Sequence, residues 1–393
     1  MFTFSKRRIT LDGTGDGLLD AEALQSKTID YLRFPMALAV VYIHSAGDVP
    51  MSPVHYDAFT GLDFYNLLRV VFSDVLTRIA VPVFYVISGY LYFLNVKQWS
   101  WSEYKRKSRS RLYTLVIPYL LWNVAALLLF GGRSVVKHYM ASHVWDFSLF
   151  LEQVRGLSWL WNVNEWGANI TNWLGYTVPV TGPINLPLWF LRDLIVVSAL
   201  SPLVYYWVRY TRKWGLLLLA LCYVSNVFPL IQGLQVSAVL FFTLGAYFSI
   251  NKRNMVVSLR RYGGILSLLT VVLVPVMVYY DSVNNPIECF VYPFYVLFAT
   301  LFAFCCASRM VQRGCRPNVF LTRSCFFIYA MHSLVIVSIS VKALTFVFGN
   351  SSWLSLSVVY MLSPFLTILM CVLLYALMLR CFPILASWLT GKR

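Results

Sequence analysis

What this chain lacks most is charge: Asp, Glu, Lys and Arg together make up 12% of its 393 residues, about half the share usual in a globular domain. With 59% hydrophobic residues and a mean hydropathy of +0.67, no soluble domain of this length hides so much apolar surface. Acidic residues are scarcer still, 16 against 32 basic ones, for a formal net charge of +16. In a soluble chain that excess would suggest nucleic acid. Here the basic residues sit in short segments between apolar runs, where they set topology, and no nucleic-acid partner is expected.

The cysteine pattern is equally bare. Cys222, Cys289, Cys305, Cys306, Cys315, Cys325, Cys371 and Cys381 form no C-x-x-C pair and have no histidine at zinc spacing. Most fall within the apolar runs or on their cytoplasmic side, where disulfides do not persist. Neither a metal nor a disulfide framework is expected. The sequence has no internal repeat and no inverted pair of Gly/Pro-broken helices of the transporter kind. It also has no recognisable soluble output domain, which weighs against a membrane sensor.

What the chain does have is a succession of apolar runs bounded by charge, giving about ten candidate spans. They are Ile29–Gly47, Val75–Val96, Thr114–Gly131, Pro187–Val208, Trp214–Leu230, Val236–Ile250, Gly263–Tyr280, Phe290–Ser308, Cys325–Phe348 and Leu354–Arg380. Basic residues cluster before the first run (Lys6, Arg7, Arg8, Lys27) and after every second one. Examples are Lys105 to Arg111, Arg209 to Lys213, Lys252 to Arg261, Arg309 to Arg323, and Lys392 with Arg393 at the end. This alternation predicts an all-α, polytopic bundle with both termini cytoplasmic. Met1–Lys27, polar and glycine-rich, is expected to be a flexible cytoplasmic tail, and residues 28–393 a single transmembrane domain. Arg33 and Pro35 inside the first run argue against a cleaved signal peptide. Phe64–Asp74 is expected to be an amphipathic lead-in to the second span.

The first run, IDYLRFPMALAVVYIHSA, carries Arg33 near its start and His44 near its end. An unpaired charge in hydrocarbon costs a few kcal/mol, so two ionisable groups on one span need a reason. On a helix they lie about 16 Å apart along the axis and on nearly one face. By the same counting, His44 and Arg78 each lie ~6 Å below the outer boundary, next to Arg192 and Asp193 on the fourth span. Arg33, Ser88 and His332 are expected deeper, toward the cytoplasm. Arg192 and Asp193 adjoin on a helix and point about 100° apart, so a simple mutual salt bridge is not expected. The segment Gly132–Leu186 is rich in tryptophan, with Trp145, Trp159, Trp161, Trp166 and Trp173. It reads either as an interfacial aromatic belt or as a partly re-entrant lid over an acceptor.

Arg33-x10-His44 resembles the R-x10-H signature of the acyltransferase family 3 membrane proteins. Phe84-Tyr85-Val86-Ile87-Ser88-Gly89-Tyr90 resembles that family's F-F-x-x-S-G-F/Y, with Tyr85 in place of the second Phe. Arg78, Trp189-Phe190-Leu191, Phe241-Phe242-Thr243-Leu244-Gly245 and Ile328-Tyr329-x-x-His332 also fit, in order. The resemblance runs from Ile29 nearly to the end of the chain. It implies an integral plasma-membrane O-acyltransferase, of bacterial type. Such an enzyme takes an acyl group, commonly acetyl, from cytoplasmic acyl-CoA and places it on a hydroxyl of an envelope glycan or lipid-linked sugar. A transporter or flippase of such a glycan, using the same polar seam, is the rival reading.

Elementary chemistry agrees with the resemblance. Acyl transfer to a hydroxyl needs a base that titrates near neutrality, which imidazole supplies. It also needs positive charge where the thioester oxygen becomes an oxyanion, a role an arginine fills well in a low-dielectric interior. His44 is therefore expected as general base or transient acyl carrier, and Arg78 as oxyanion stabiliser or donor ligand. Arg33, Ser88 and His332 are assigned to the acyl-CoA side, and Trp189, Arg192 and Asp193 to the acceptor. Each has a blander alternative: ion pairing for His44 and Arg78, snorkelling for Arg33, close helix approach for Ser88, and packing for His332, Arg192 and Asp193.

Overall fold

A computed structural model describes residues 20–45, 51–96, 98–154, 156–171, 176–228 and 231–392. The chain runs α1 (Ala21–Ile43), α2 (Gly61–Arg69), α3 (Ala80–Phe93), α4 (Trp101–Arg111), α5 (Ile117–Ser142), α6 (Ser148–Val154) and α7 (Ser158–Trp161). A hairpin follows, β1 (Asn164–Thr171) antiparallel to β2 (Thr177–Gly182). The rest is α8 (Trp189–Ala199), α9 (Ser201–Val224), α10 (Val236–Ile250), α11 (Met255–Arg260), α12 (Gly263–Ser282), α13 (Glu288–Gln312), α14 (Val319–Met331), α15 (Val337–Phe348), α16 (Trp353–Cys381) and α17 (Pro383–Leu389).

The bundle is helical apart from that hairpin. By length and composition, six continuous helical stretches among the described residues suffice to cross a membrane. They are Gly61–Phe93, Trp101–Ser142, Gly263–Ser282, Glu288–Gln312, Val319–Phe348 and Trp353–Cys381. A seventh arises if Leu186–Ala199 and Ser201–Val224, bent by 64°, form one span. The remaining expected spans are helical too, but more polar, bent or shorter. α1 carries Lys27, Asp30 and Arg33, α9 breaks at Arg212 (φ 53, ψ −130), and α10 has 15 residues. Several expected boundaries move, among them Gly131, past which α5 continues to Ser142, and the gap between Val208 and Trp214, which lies inside α9. Ala21–Lys27, expected in the tail, is the first part of α1. At the other end α1 stops at Ile43, because Ser45 folds its hydroxyl back onto the Val41 carbonyl (2.7 Å) and its N–H onto that of Tyr42 (3.1 Å). The expected tail residues 1–19, the span ends Gly47 and Leu230 and the terminal Arg393 lie outside the described residues.

Side-chain oxygens cap the entries into these helices. Thr60 and Asp63 form a reciprocal capping box at α2, and Ser352 and Ser355 do the same at α16. α2 buries Tyr65, Asn66 and Arg69 on one side, the amphipathic lead-in expected there. The chain then passes through a π turn, Val70–Val75, and a 3-10 turn, Leu76–Ile79, before α3. Pro82 explains part of this break: it has no N–H for the carbonyl four residues back, that of Arg78, and its ring crowds that carbonyl. The Tyr295 hydroxyl donates to the Val75 carbonyl at this break (3.0 Å).

The closest helix pairing is α3 against α10, and glycine makes it possible. A Cβ at Gly89 would lie 1.9 Å from the Phe242 carbonyl oxygen, and one at Gly245 would lie 2.0 Å from that of Val86. The S-G and F-F-T-L-G segments thus interlock backbone to backbone, as small residues allow in membranes. Close approach is what the missing side chain of Gly89 permits. Around it the core is aromatic and fully buried, including Tyr85, Tyr92, Phe93, Phe241, Phe242 and Phe327.

Gly89→Ala should separate α3 from α10. A loss of ~1–3 kcal/mol is expected from overpacking, visible as a lower unfolding midpoint of the purified protein. Gly264→Ala, where nothing lies within 4 Å of the added carbon, should leave the midpoint unchanged.

Candidate functional site

His44 closes α1 as its C-terminal cap, while His332 opens a π turn, His332–Ile336, between α14 and α15. The two imidazole rings lie 5.1 Å apart between centroids. His332 is fully buried, and its Nδ1 is 3.0 Å from the Ile328 carbonyl oxygen. This places His332 at the level of His44, not deeper in the bundle as helical counting suggested. Counting along separate helices fixes neither their tilt nor the extra advance of a π turn.

Arg78 lies in the 3-10 turn before α3 and donates to the Asp74 carboxylate (2.5 Å) and to the Asp74 carbonyl (3.3 Å). The pair is only partly covered, its side chains 39% and 24% exposed. Tyr292 and Asp281 also act on Arg78 electrostatically, and Asp281 and Glu288 interact with each other. His44 in turn lies within electrostatic reach of the His332 ring and of Arg78. One end of the bundle therefore gathers two imidazoles, a guanidinium and three carboxyl groups from α1, the α2–α3 link, α12, α13 and the α14–α15 link.

Arg33 is apart from this cluster, paired with Asp30 at 3.1 Å and partly exposed. Arg192 and Asp193 form a direct salt bridge after all, Nε to Oδ1 at 3.0 Å, with side chains 1% and 0% exposed. Adjacent positions diverge at Cβ, but the arginine chain is long enough to curl back. Complete burial removes water as an alternative partner, so the two charges turn to each other. The Arg192 guanidinium also donates to the Trp161 carbonyl (2.6 Å) and lies over the Trp161 ring, 5.2 Å from its centroid. Trp189, at the start of α8, is partly buried against the core. The tryptophan segment is thus pinned to the bundle. The Trp159 carbonyl also accepts from the Ile184 N–H (2.8 Å), whereas Trp145 stacks on Tyr139 (4.1 Å) and stays exposed. The side chain of Trp166, and Trp173 altogether, lie outside the described residues.

Several contributors escaped the sequence reading. Asp281, Glu288 and Tyr292 surround Arg78, yet the acids sit at span ends, where charge is ordinary. Their shared level was the one signal available. Arg111, counted among the loop charges, reaches the Ser88 carbonyl (3.3 Å) and lies over the Tyr92 ring, 5.1 Å from its centroid. All eight cysteines are free. Among the described residues no group of three or more His, Cys, Asp or Glu is arranged to hold a metal ion.

Apolar helices around a small polar centre define a multi-pass membrane protein. A family model described as an acyltransferase domain matches residues 26–387, and the chain belongs to that family, acyltransferase family 3. It is 30% identical over 275 residues to the succinoglycan biosynthesis protein ExoH of Rhizobium meliloti (strain 1021). That match covers 68% of this chain and 66% of the relative, so the chain spans just under two thirds of the relative's length. No solved structure matches the chain.

Replacing Arg192 with Leu should strand the Asp193 carboxylate in the core and cost about 3–5 kcal/mol. The double change Arg192→Leu with Asp193→Leu should recover much of that loss. Thermal unfolding of the three purified proteins measures both effects.

Proposed function

We propose that the protein is a membrane O-acyltransferase, moving an acyl group, in particular acetyl, from cytoplasmic acyl-CoA to a hydroxyl of an envelope polysaccharide or its lipid-linked precursor. The observation that carries this reading is the His44–His332–Arg78 cluster within an acyltransferase-family domain. The polysaccharide acceptor is supported by the name of the relative, a succinoglycan biosynthesis protein.

In this reading residues 28–393 form one catalytic membrane domain of ten spans, with both termini in the cytoplasm. His44 takes the proton of the attacking hydroxyl. Arg78, held by Asp74, faces the oxygen that becomes negative as the thioester carbonyl turns tetrahedral. Arg33 holds the donor's phosphates or pantetheine arm nearer the cytoplasm. Ser88 and Arg111 lie along the donor's path. The acceptor approaches from the face covered by the tryptophan segment, which Arg192 and Asp193 anchor beside Trp189. The bond between acyl carbon and sulfur breaks, the ester bond forms, and the hydroxyl proton ends on the CoA sulfur.

Membrane vesicles carrying the protein should transfer label from [14C]acetyl-CoA into the polysaccharide fraction. His44→Ala should lower transfer at least ~100-fold, the scale of a lost general base, while the protein still inserts. Label-free movement of glycan across the vesicle would favour transport instead, and retained transfer by His44→Ala would remove that residue from the chemistry. Separately, a C-terminal green fluorescent protein should glow and a C-terminal alkaline phosphatase should be silent if the C-terminus is cytoplasmic.

A further inference from the structure

His332 carries a constraint that a packing residue does not need. Its Nδ1 faces the Ile328 carbonyl at 3.0 Å. A carbonyl oxygen only accepts, so Nδ1 bears the proton and the neutral ring has its lone pair on Nε2. That Nε2 is fully buried and has no hydrogen-bond partner among the described residues. An acceptor left open in a membrane interior is expensive, and buried polar atoms are nearly always paired. The neighbouring ring is His44, 5.1 Å away between centroids.

The mounting of His332 is also stiff. The Tyr329 hydroxyl donates to the Pro187 carbonyl, and the Asn185 amide donates to the Ala330 carbonyl (3.0 Å). The Asn185 N–H in turn donates to Asn123 (3.2 Å). α14 is therefore bolted to the start of α8 and to α5 directly before the π turn that presents His332. Such π turns recur at functional sites.

We propose that His332 is the positioning residue for His44. Its Nε2 accepts an N–H from His44, directly or through one water, and so dictates which His44 nitrogen keeps the lone pair that faces the substrate hydroxyl. The chain of donors runs from the substrate O–H to His44, from His44 to His332 Nε2, and from His332 Nδ1 to the Ile328 carbonyl. During transfer the hydroxyl proton moves to His44 and then to the departing CoA thiolate, while His332 stays neutral and changes no bond. The short contact forms when substrate seats His44, as catalytic hydrogen bonds often tighten only in the loaded enzyme. This assignment replaces the donor-side role expected for His332, and it rests on His44 being the base.

The test uses full-length protein in nanodiscs, with acetyl-CoA as donor and free CoA thiol as the readout in the presence of the polysaccharide fraction. His332→Leu should lower kcat by ~10²- to 10⁴-fold, the range spanned by a lost base and a misdirected imidazole tautomer. KM for acetyl-CoA should stay within about twofold, since uniform donor binding is untouched. His332→Gln keeps one donor and one acceptor and should recover at least about tenfold of the kcat loss. A raised KM at unchanged kcat, or equal losses in both variants, would overturn the proposal. Should the Leu variant not fold, ring 15N shifts of the wild-type protein decide. A neutral His332 protonated at Nδ1, with a His44 signal that moves in His332→Gln, supports it; a His332 protonated at Nε2, or a His44 signal that ignores the change, overturns it. If wild type and His44→Ala release CoA equally slowly, the acyltransfer reading of His44 fails, and the 15N measurement still judges the pairing by itself.

Discussion

A polar atom inside hydrocarbon must find its partner within the chain, because no water is there to substitute. Most of this bundle can be understood as answers to that demand. Arg192 curls onto its own neighbour Asp193, Arg78 folds back on Asp74, and the Ser73 hydroxyl lies 2.7 Å from that of Tyr360. The Tyr295 hydroxyl finds the Val75 carbonyl where the helix changes its winding. Among the described residues His332 Nε2 is a buried atom for which that demand is unmet, and its ring lies beside a second imidazole.

Irregular helix geometry does the positioning. Regular α-helix would carry Arg78 and His332 past the site on faces set by the 3.6-residue repeat. The π and 3-10 turns at Val70–Ile79 and the π turn at His332–Ile336 reset those faces. They are tolerable because the neighbouring frame is rigid. α3 and α10 meet backbone to backbone at Gly89 and Gly245, and α8 is tied to α14 beside the histidines. A deformable bundle would relax such turns back to regular helix.

The tryptophan segment links the site to the surface. Arg192 grips Trp161 through both its carbonyl and its ring, so a fully buried ion pair sets the seat of a segment that carries exposed aromatic side chains. Within this segment Trp145 is exposed, while Trp159 and Trp161 are fastened to the bundle through their carbonyls.

Apolar runs, alternating basic loops and the Arg33–His44 spacing were enough to identify a helical membrane protein and to single out His44 and Arg78, because hydrophobic length and charge are local properties of a chain. The S-G and F-F-T-L-G segments could be marked as special without showing that they pack against each other. Sequence could not reveal that His332 stands beside His44, that Arg192 turns back to Asp193, or that Asp281 and Glu288 gather near Arg78. Those facts depend on helix tilt, on π and 3-10 turns and on side-chain reach, which are settled when separate helices compete for the same buried space. The residue types were legible in one dimension; their partnerships exist only in three, because the energy that selects them comes from contacts between distant parts of the chain.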